Sequence, residues 1–447
     1  MNTQPPSEQH LLRRCAGALA IAVGLLLIGW LLAAPADAAP RHGVPGHGVT
    51  VSIACSSTGM DQVACREGAE AWARQSGNRV NIVSTPSSAT ARLALYQQFL
   101  AARAPDIDVF TIDVVWPGLL GRYLIDLGAY VDAARRAEYE PALMRNDTVD
   151  GRLVALPWFA DAGVLFYRQD LLDKYHLKPP DDWAALSADA AAIQRGERAA
   201  GNARFWGYVW QGRAYEGLTC NALEWIGSFG GGSIIAADGK VDVDNPRAIA
   251  ALHMARGWVG TITPPGVLNY SEEEARGVFQ AGNAAFMRNW PYAWALAQGQ
   301  DSAIRGKVGV AALPAGPGGR HSAVLGGWQL AVSKFSAHPK QAAALVLYLT
   351  SRAEQKRRAI AYTFNPTMPS LFDDPEVLAA APFLGRLRPV FADAVARPSA
   401  VVKTRYNEVS AAIWTRVHAV LTGEATAAGE MRALSLELRR IGHGGRW

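Results

Sequence analysis

Cysteine is scarce in this chain and charge is modest. Four of 447 residues are Cys, and Asp, Glu, Lys and Arg together make up 19%. No CxxC pair and no Cys/His zinc spacing occurs, so no metal site is expected. His42 and His47 fall in a Gly/Pro linker, a composition of disordered segments more than of metal sites. There is no GxSxG elbow, no HExxH helix and no Lys-bearing phosphate loop. Glycines 230 to 232 follow a predicted helix and lack GxGxxG spacing, which argues against a nucleotide loop and leaves no cofactor expected. A dense Lys/Arg stripe interleaved with aromatics is also missing. The richest run, Arg352, Lys356, Arg357 and Arg358 with Glu354, reads as a solvated helix face, and no nucleic-acid partner is expected. Beyond residue 34 no stretch is apolar enough to span a bilayer, which excludes a polytopic membrane protein.

What is there is an ordinary globular composition, half of it hydrophobic, with a formal net charge of +5. Its length is more than one core usually serves, so two domains are expected. Tryptophan stands out: 14 Trp exceed the 13 Tyr or the 13 Phe and call for a reason. At the N-terminus, Arg13 and Arg14 precede an uncharged stretch, Ala16 to Ala34, and Ala36-Asp37-Ala38 supplies a signal-peptidase pattern. A signal peptide of residues 1–38 is expected, followed by a linker over 39–48; an uncleaved anchor is the alternative. Cys15 precedes the apolar core and cannot be a lipid-modified cysteine after it, so no lipobox is present. The expected location is the periplasm.

Export permits disulfides. Cys55 would end the first strand and Cys65 would lie on the following helix, so a bridge would tie the strand to its own crossover helix; two free thiols are the alternative. Cys220, between Leu218 and Ala222 on a predicted helix, reads as a small buried hydrophobe.

The pattern predicts strands over 49–54, 79–83 and 107–112, with helices over 61–76 and 89–102 between them. Strands alternating with helices of this length argue for βαβ units and a parallel sheet. The alternation resumes at 163–167 and continues to about 305. Two more strands are expected over 308–312 and 327–332, and helices dominate from 339 onward. Ser271 with Glu274 gives a capping box. In open α/β sheets ligands bind beyond the carboxyl ends of strands. The residues expected there, Ser56 to Asp61, Ser84 to Arg92, Asp113 to Trp116, Phe159 to Asp161, Trp290 to Trp294 and Gly326 to Trp328, are rich in carboxylates, arginine and indoles. Paired carboxylates such as Asp113 and Asp161 keep a glycoside hydrolase open as the alternative function.

Six segments carry a family resemblance: DVFTIDVVW (108–116), ALPWFADAGVLFYRQDLLDKY (155–175), FWGYVWQGRAYEGLTC (205–220), FQAGNAAFMRNWPYAW (279–294), GKVGVAALP (306–314) and LGGWQLAVSK (325–334). In order and spacing they resemble the sugar-binding proteins of bacterial and archaeal ABC importers, the trehalose/maltose-binding branch. The resemblance implies the two-lobe periplasmic-binding-protein fold (class II), α/β, with a cleft that closes by a hinge. The lobes should comprise 49–157 plus 312–365, and 158–311 plus 366–447. It further implies a monomer that is not an enzyme, captures an alpha-linked disaccharide (trehalose first, then maltose) and delivers it to permease subunits.

Sugar chemistry agrees with that likeness. Hydroxyls in the ring plane suit charge-assisted hydrogen bonds to Asp and Arg, and apolar ring faces suit indole, which keeps an N–H donor. Carried over by resemblance, the sugar contacts are Asp61, Arg92, Asp113, Phe159, Asp161, Trp290, Tyr292, Gly327, Trp328 and Arg397. Asp61 stands where the family has a glutamate, with a helix N-cap as its other reading. Phe159 replaces a frequent tyrosine. Asp113 and Asp161 are expected to reach the sugar from opposite lobes. Trp116, Trp210 and Glu216 are second-tier candidates, as fit for packing as for contact.

Overall fold

The computed structural model describes residues 48–447 except residue 393. The expected signal peptide with its cut near Ala38, Cys15, His42, His47 and nearly all of the linker lie outside the described residues. The chain begins with the expected alternation: β1 (Thr50–Ser56), a helix (Gly59–Ser76), β2 (Arg79–Thr85), a helix (Ala89–Ala101) and β3 (Val109–Asp113). A short hairpin follows, β4 (Thr148–Val149) with β5 (Arg152–Leu153), and then β6 (Leu156–Ala162) and β7 (Val164–Arg168). The remaining strands are β8 (Trp206–Val209), β9 (Ala284–Asn289), β10 (Val308–Ala312) and β11 (Leu325–Val332).

Nine of these strands form two open sheets. One has the order β2-β1-β3-β11-β6 and the other β10-β7-β9-β8. β1 pairs parallel with β2 and β3, which the two crossover helices make possible, whereas β11 runs antiparallel to β3 and β6. All five residues of β3 are buried, as a strand covered on both faces requires. In the second sheet β8 and β9 are parallel, and β7 is antiparallel to both β9 and β10. Each sheet centres one lobe. Helices Pro339–Leu349 and Arg352–Tyr362 pack on Gly59–Ser76 in the first. Helices Tyr406–Thr422 and Ala427–Ile441 pack on Pro246–Trp258 in the second.

The chain crosses between sheets at Gly163, where β6 ends in the first and β7 starts in the second. It returns between β10 and β11, and Val324 on that return bridges to Val395. Phe159 and Asp161 therefore lie inside a strand, where the sequence suggested the loop after one. Pro157 obscured that strand. It is tolerated because β6 is an edge strand whose pairing with β11 slips between Trp328 and Gln329. The expected lobe boundary at 157/158 falls within β6.

Tryptophan mostly builds cores. Trp116, Trp158, Trp210 and Trp225 are buried, and Trp210 meets Trp225 edge to face at 5.0 Å. Cys55 and Cys65 form a disulfide, and Cys220 is buried with a free thiol that burial pushes to high pKa.

Candidate functional site

A cavity of about 850 Å³, counted to its open mouth, lies between the two sheets. On the first-sheet side, the turn after β1 brings Ser56, Thr58 and Asp61, the end of β3 brings Asp113, and β6 brings Phe159 and Asp161. The start of β11 adds Gly326, Gly327 and Trp328. Opposite them stand Glu216 at a helix start, Glu272 and Glu273 in the first turn of the capped helix, Trp290 and Tyr292 just after β9, and Arg397.

Arg397 is the cationic centre. Its Nη2 donates to Asp113 Oδ1 at 2.6 Å and its Nη1 to Glu216 Oε1 at 2.7 Å. Glu216 also accepts from Tyr406 at 2.5 Å and from Ser410 at 2.7 Å. Burial raises the Asp113 carboxyl above its ordinary value, and the adjoining guanidinium limits that rise. Asp161 has no such partner. It is 5% exposed, its Oδ1 makes no hydrogen bond within the protein, and burial pushes its pKa up to about 7. Asp113 and Asp61 add to that rise, while Arg288 opposes it.

Two glycines set the floor. Gly327 has φ +121°, and a Cβ there would fall 2.4 Å from the Phe159 carbonyl oxygen, so only glycine lets β11 pass so close to β6. At Gly326 a Cβ would meet the Trp290 ring at 2.9 Å. The aromatic rings are tethered. Trp290 Nε1 donates to Glu272 at 3.3 Å, and Tyr292 donates through its hydroxyl to Glu273 at 2.7 Å. Trp328 packs edge to face on Trp116 at 5.5 Å.

Nine of the ten expected contact residues line the cavity. Arg92 is the exception. It is buried behind the wall, stacks at 4.2 Å on the Trp328 ring, pairs with Asp61 at 3.6 Å and donates through Nε to the Pro86 carbonyl at 2.9 Å. It shares the buried face of its helix with Leu93, Tyr96 and Leu100, so the arginine turns inward and braces two wall residues. Asp61 is not an N-cap: the helix starts two residues earlier, with Thr58 at the cap, and Asp61 is half-buried in its first turn. Asp113 and Asp161 do not face each other from opposite lobes, because β3 and β6 belong to the same sheet. Of the second-tier residues Glu216 lines the cavity, whereas Trp116 and Trp210 are core. Sequence reasoning missed Glu272 and Glu273. Their signal was the run Ser271-Glu272-Glu273-Glu274, read only as a cap; Glu274 does cap, which leaves its two neighbours free to face the cleft. Among the described residues no group of His, Cys, Asp and Glu is placed to hold a metal ion.

Carboxylates, one shared arginine and indole faces around a cleft between two α/β lobes define the ligand-capturing class of two-lobe binding proteins. More particularly, the chain belongs to the bacterial extracellular solute-binding protein family, whose profile matches residues 60–356. It is 54% identical over 394 residues to a probable ABC transporter-binding protein of Deinococcus radiodurans, covering 88% of this chain and 94% of that one. The maltose-bound MalE3 of T. maritima is 40% identical with a TM-score of 0.84, covering 88% of this chain and 100% of that one. The maltodextrin-binding protein MdxE of Bacillus subtilis is 24% identical over 261 residues, 57% of this chain and 58% of that one. The chain is thus a solute-binding protein of the extracellular family, and the comparisons give no support to a glycoside hydrolase.

Proposed function

We propose that the cleft captures an alpha-linked glucose disaccharide, trehalose or maltose, and presents it to the permease subunits in the periplasm. In this reading the signal peptide is removed near Ala38 and the mature protein acts as a monomer without catalysis. The lobes follow the expected plan of 49–157 plus 312–365 and 158–311 plus 366–447 with two bounds shifted: the first crossing lies at Gly163, after β6, and the return comes after Ala312, the last residue of β10, not before it. The observation that carries the reading is a pair of buried polar atoms beside the cavity with no hydrogen-bond partner in the protein, Asp161 Oδ1 and Arg397 Nε. Buried polar groups are normally satisfied, and sugar hydroxyls both donate and accept. Trp290 and Trp328 supply apolar faces beside them. The 40% identity to a maltose-bound protein supports a glucose disaccharide, and the carboxylate walls suit its hydroxyl donors.

Calorimetry and thermal shift against trehalose, maltose, mannitol and glucose test the choice. A ligand at 100 times its Kd stabilises by about 2.7 kcal/mol, which moves Tm measurably. Heating curves unmoved by every glucose disaccharide would refute the reading, and release of glucose from bound trehalose would restore the hydrolase.

A further inference from the structure

We propose that the buried Glu224–Arg288 pair is a positioning device that ties the crossings between the lobes to the sugar platform. Neither residue lines the cavity. Arg288, on β9, donates through Nε to Glu224 Oε2 at 2.9 Å and through Nη2 to Oε1 at 2.5 Å. Its Nη1 donates to Gln211 at 3.2 Å, and both partners of the ion pair are 1% exposed or less. The guanidinium lies 4.0 Å from the centre of the Trp290 ring, on which the platform depends.

The same pair touches both crossings. Gly163, at the first, sits against it: a Cβ there would stand 2.1 Å from Glu224 Oε1 and 2.6 Å from Arg288 Nη2. On the return, Val324 donates its backbone N–H to Glu224 Oε1 at 3.3 Å. Val324 in turn bridges to Val395, two residues before the cavity arginine Arg397. One carboxylate–guanidinium unit therefore contacts the glycine of the first crossing, the backbone of the second and the ring that faces the ligand. A buried ion pair is weak evidence for stability, since apolar residues of like volume often serve as well. What it supplies is geometry: the planar arginine fork can hold a carboxylate with one edge and stack on an indole with its face, which lysine cannot do. Reorienting the crossings must then shift Trp290, and seating a sugar on Trp290 must favour one setting of the crossings.

The coupling depends on the disaccharide reading for its ligand arm only. Two variants are compared with wild type, Arg288→Lys and Gly163→Ala, the second intruding on the pair without altering either of its members. Maltose and trehalose affinities are measured by calorimetry, dissociation rates by stopped flow, and compaction by small-angle scattering. The expected result is binding weaker by about tenfold in both variants, carried by faster dissociation, with a sugar-saturated radius of gyration larger than wild type. A lowered Tm with wild-type dissociation and compaction would overturn the proposal and leave a structural pair. Should Gly163→Ala not fold, Arg288→Lys decides alone; should Arg288→Lys not fold either, the pair is structural and the proposal falls. If wild type binds neither sugar, the disaccharide reading fails, and amide exchange at Val324 in the ligand-free protein decides instead. Faster exchange in both variants upholds the coupling, and wild-type exchange overturns it.

Discussion

Arg397 and Asp113 meet as a two-pronged ion pair, with Nη2 to Oδ1 at 2.6 Å and Nη1 to Oδ2 at 3.4 Å, while the same guanidinium holds Glu216 at 2.7 Å. Asp113 ends a strand of the first sheet and Glu216 starts a helix of the second lobe, so one side chain spans the cleft floor. A hydrolytic role for Asp113 is also disfavoured by this bond, which engages both carboxylate oxygens.

Arg397→Ala should therefore harm the fold as well as binding. It leaves two buried carboxylates without their shared cation, and removing one partner of a buried pair typically costs about 3–5 kcal/mol. Denaturant unfolding near pH 7 should show a loss of that size. Arg397→Lys keeps the charge but not the fork, and should fall between alanine and wild type. An alanine variant as stable as wild type would show that the pair contributes nothing net.

Asp161 predicts the pH dependence of affinity. Its pKa is about 7 without ligand, because burial penalises the charged form. Hydroxyls that donate to it favour the carboxylate, so binding should weaken as pH falls below 7, by up to tenfold per unit until the liganded pKa is reached. The stability of the ligand-free protein runs the other way. The folded-state pKa lies above the ordinary 3.8, so this group's contribution is fully present below about pH 4 and is lost as pH rises to about 7. Calorimetric titrations from pH 5 to 8 should show the first trend in wild type and a flat line in Asp161→Asn.

Trp290 should bind through its face. Trp290→Phe retains an aromatic plane but loses the donor to Glu272, whereas Trp290→Ala removes the apolar area, worth roughly 1.5–3 kcal/mol for a large buried side chain. Affinity should drop modestly in the first and by more than an order of magnitude in the second. Gly326→Ala tests the same platform from below, since its Cβ would press on the ring at 2.9 Å; it should weaken sugar binding with little change in Tm. Equal losses in the phenylalanine and alanine variants would shift the weight to the indole N–H.

The parallel core of the first sheet was legible because β1, β2 and β3 alternate with two helices of crossover length. β6 was not: Pro157 near its start and Gly163 just past its end read like turn residues, and only its pairing with β11, far along the chain, makes Leu156–Ala162 a strand. Residues at strand ends, such as Asp113, could be placed from local pattern together with family likeness. Which way a long side chain turns could not. Arg92 faces Trp328 and Asp61 through contacts that exist only once helix and sheet are packed. Glu272 and Glu273 escaped notice for a related reason: a first-turn glutamate looks like helix-dipole complement until the opposite wall is known.

Closure should accompany binding. Asp61, Asp113, Asp161 and Trp328 stand on the first-sheet side of the cavity, and Glu216, Glu272, Trp290 and Arg397 on the other. A sugar touching both walls gains more from the closed form than from an open one, and only that difference can move the population. Shifting lobes from 1:99 to 99:1 requires closed-state affinity about 10⁴-fold above open-state affinity, roughly 5.5 kcal/mol. Charged-group hydrogen bonds contribute about 1.5–3 kcal/mol each, so two or three made only on closing suffice, with the indole face in addition. Small-angle scattering should show a smaller radius of gyration with maltose or trehalose than without. Removing Asp161 on one wall and Trp290 on the other should reduce that compaction at a given sugar concentration more than either change alone. A tightly bound sugar that left the scattering curve unchanged would mean that the lobes are already closed without ligand, and permease recognition would then need another signal.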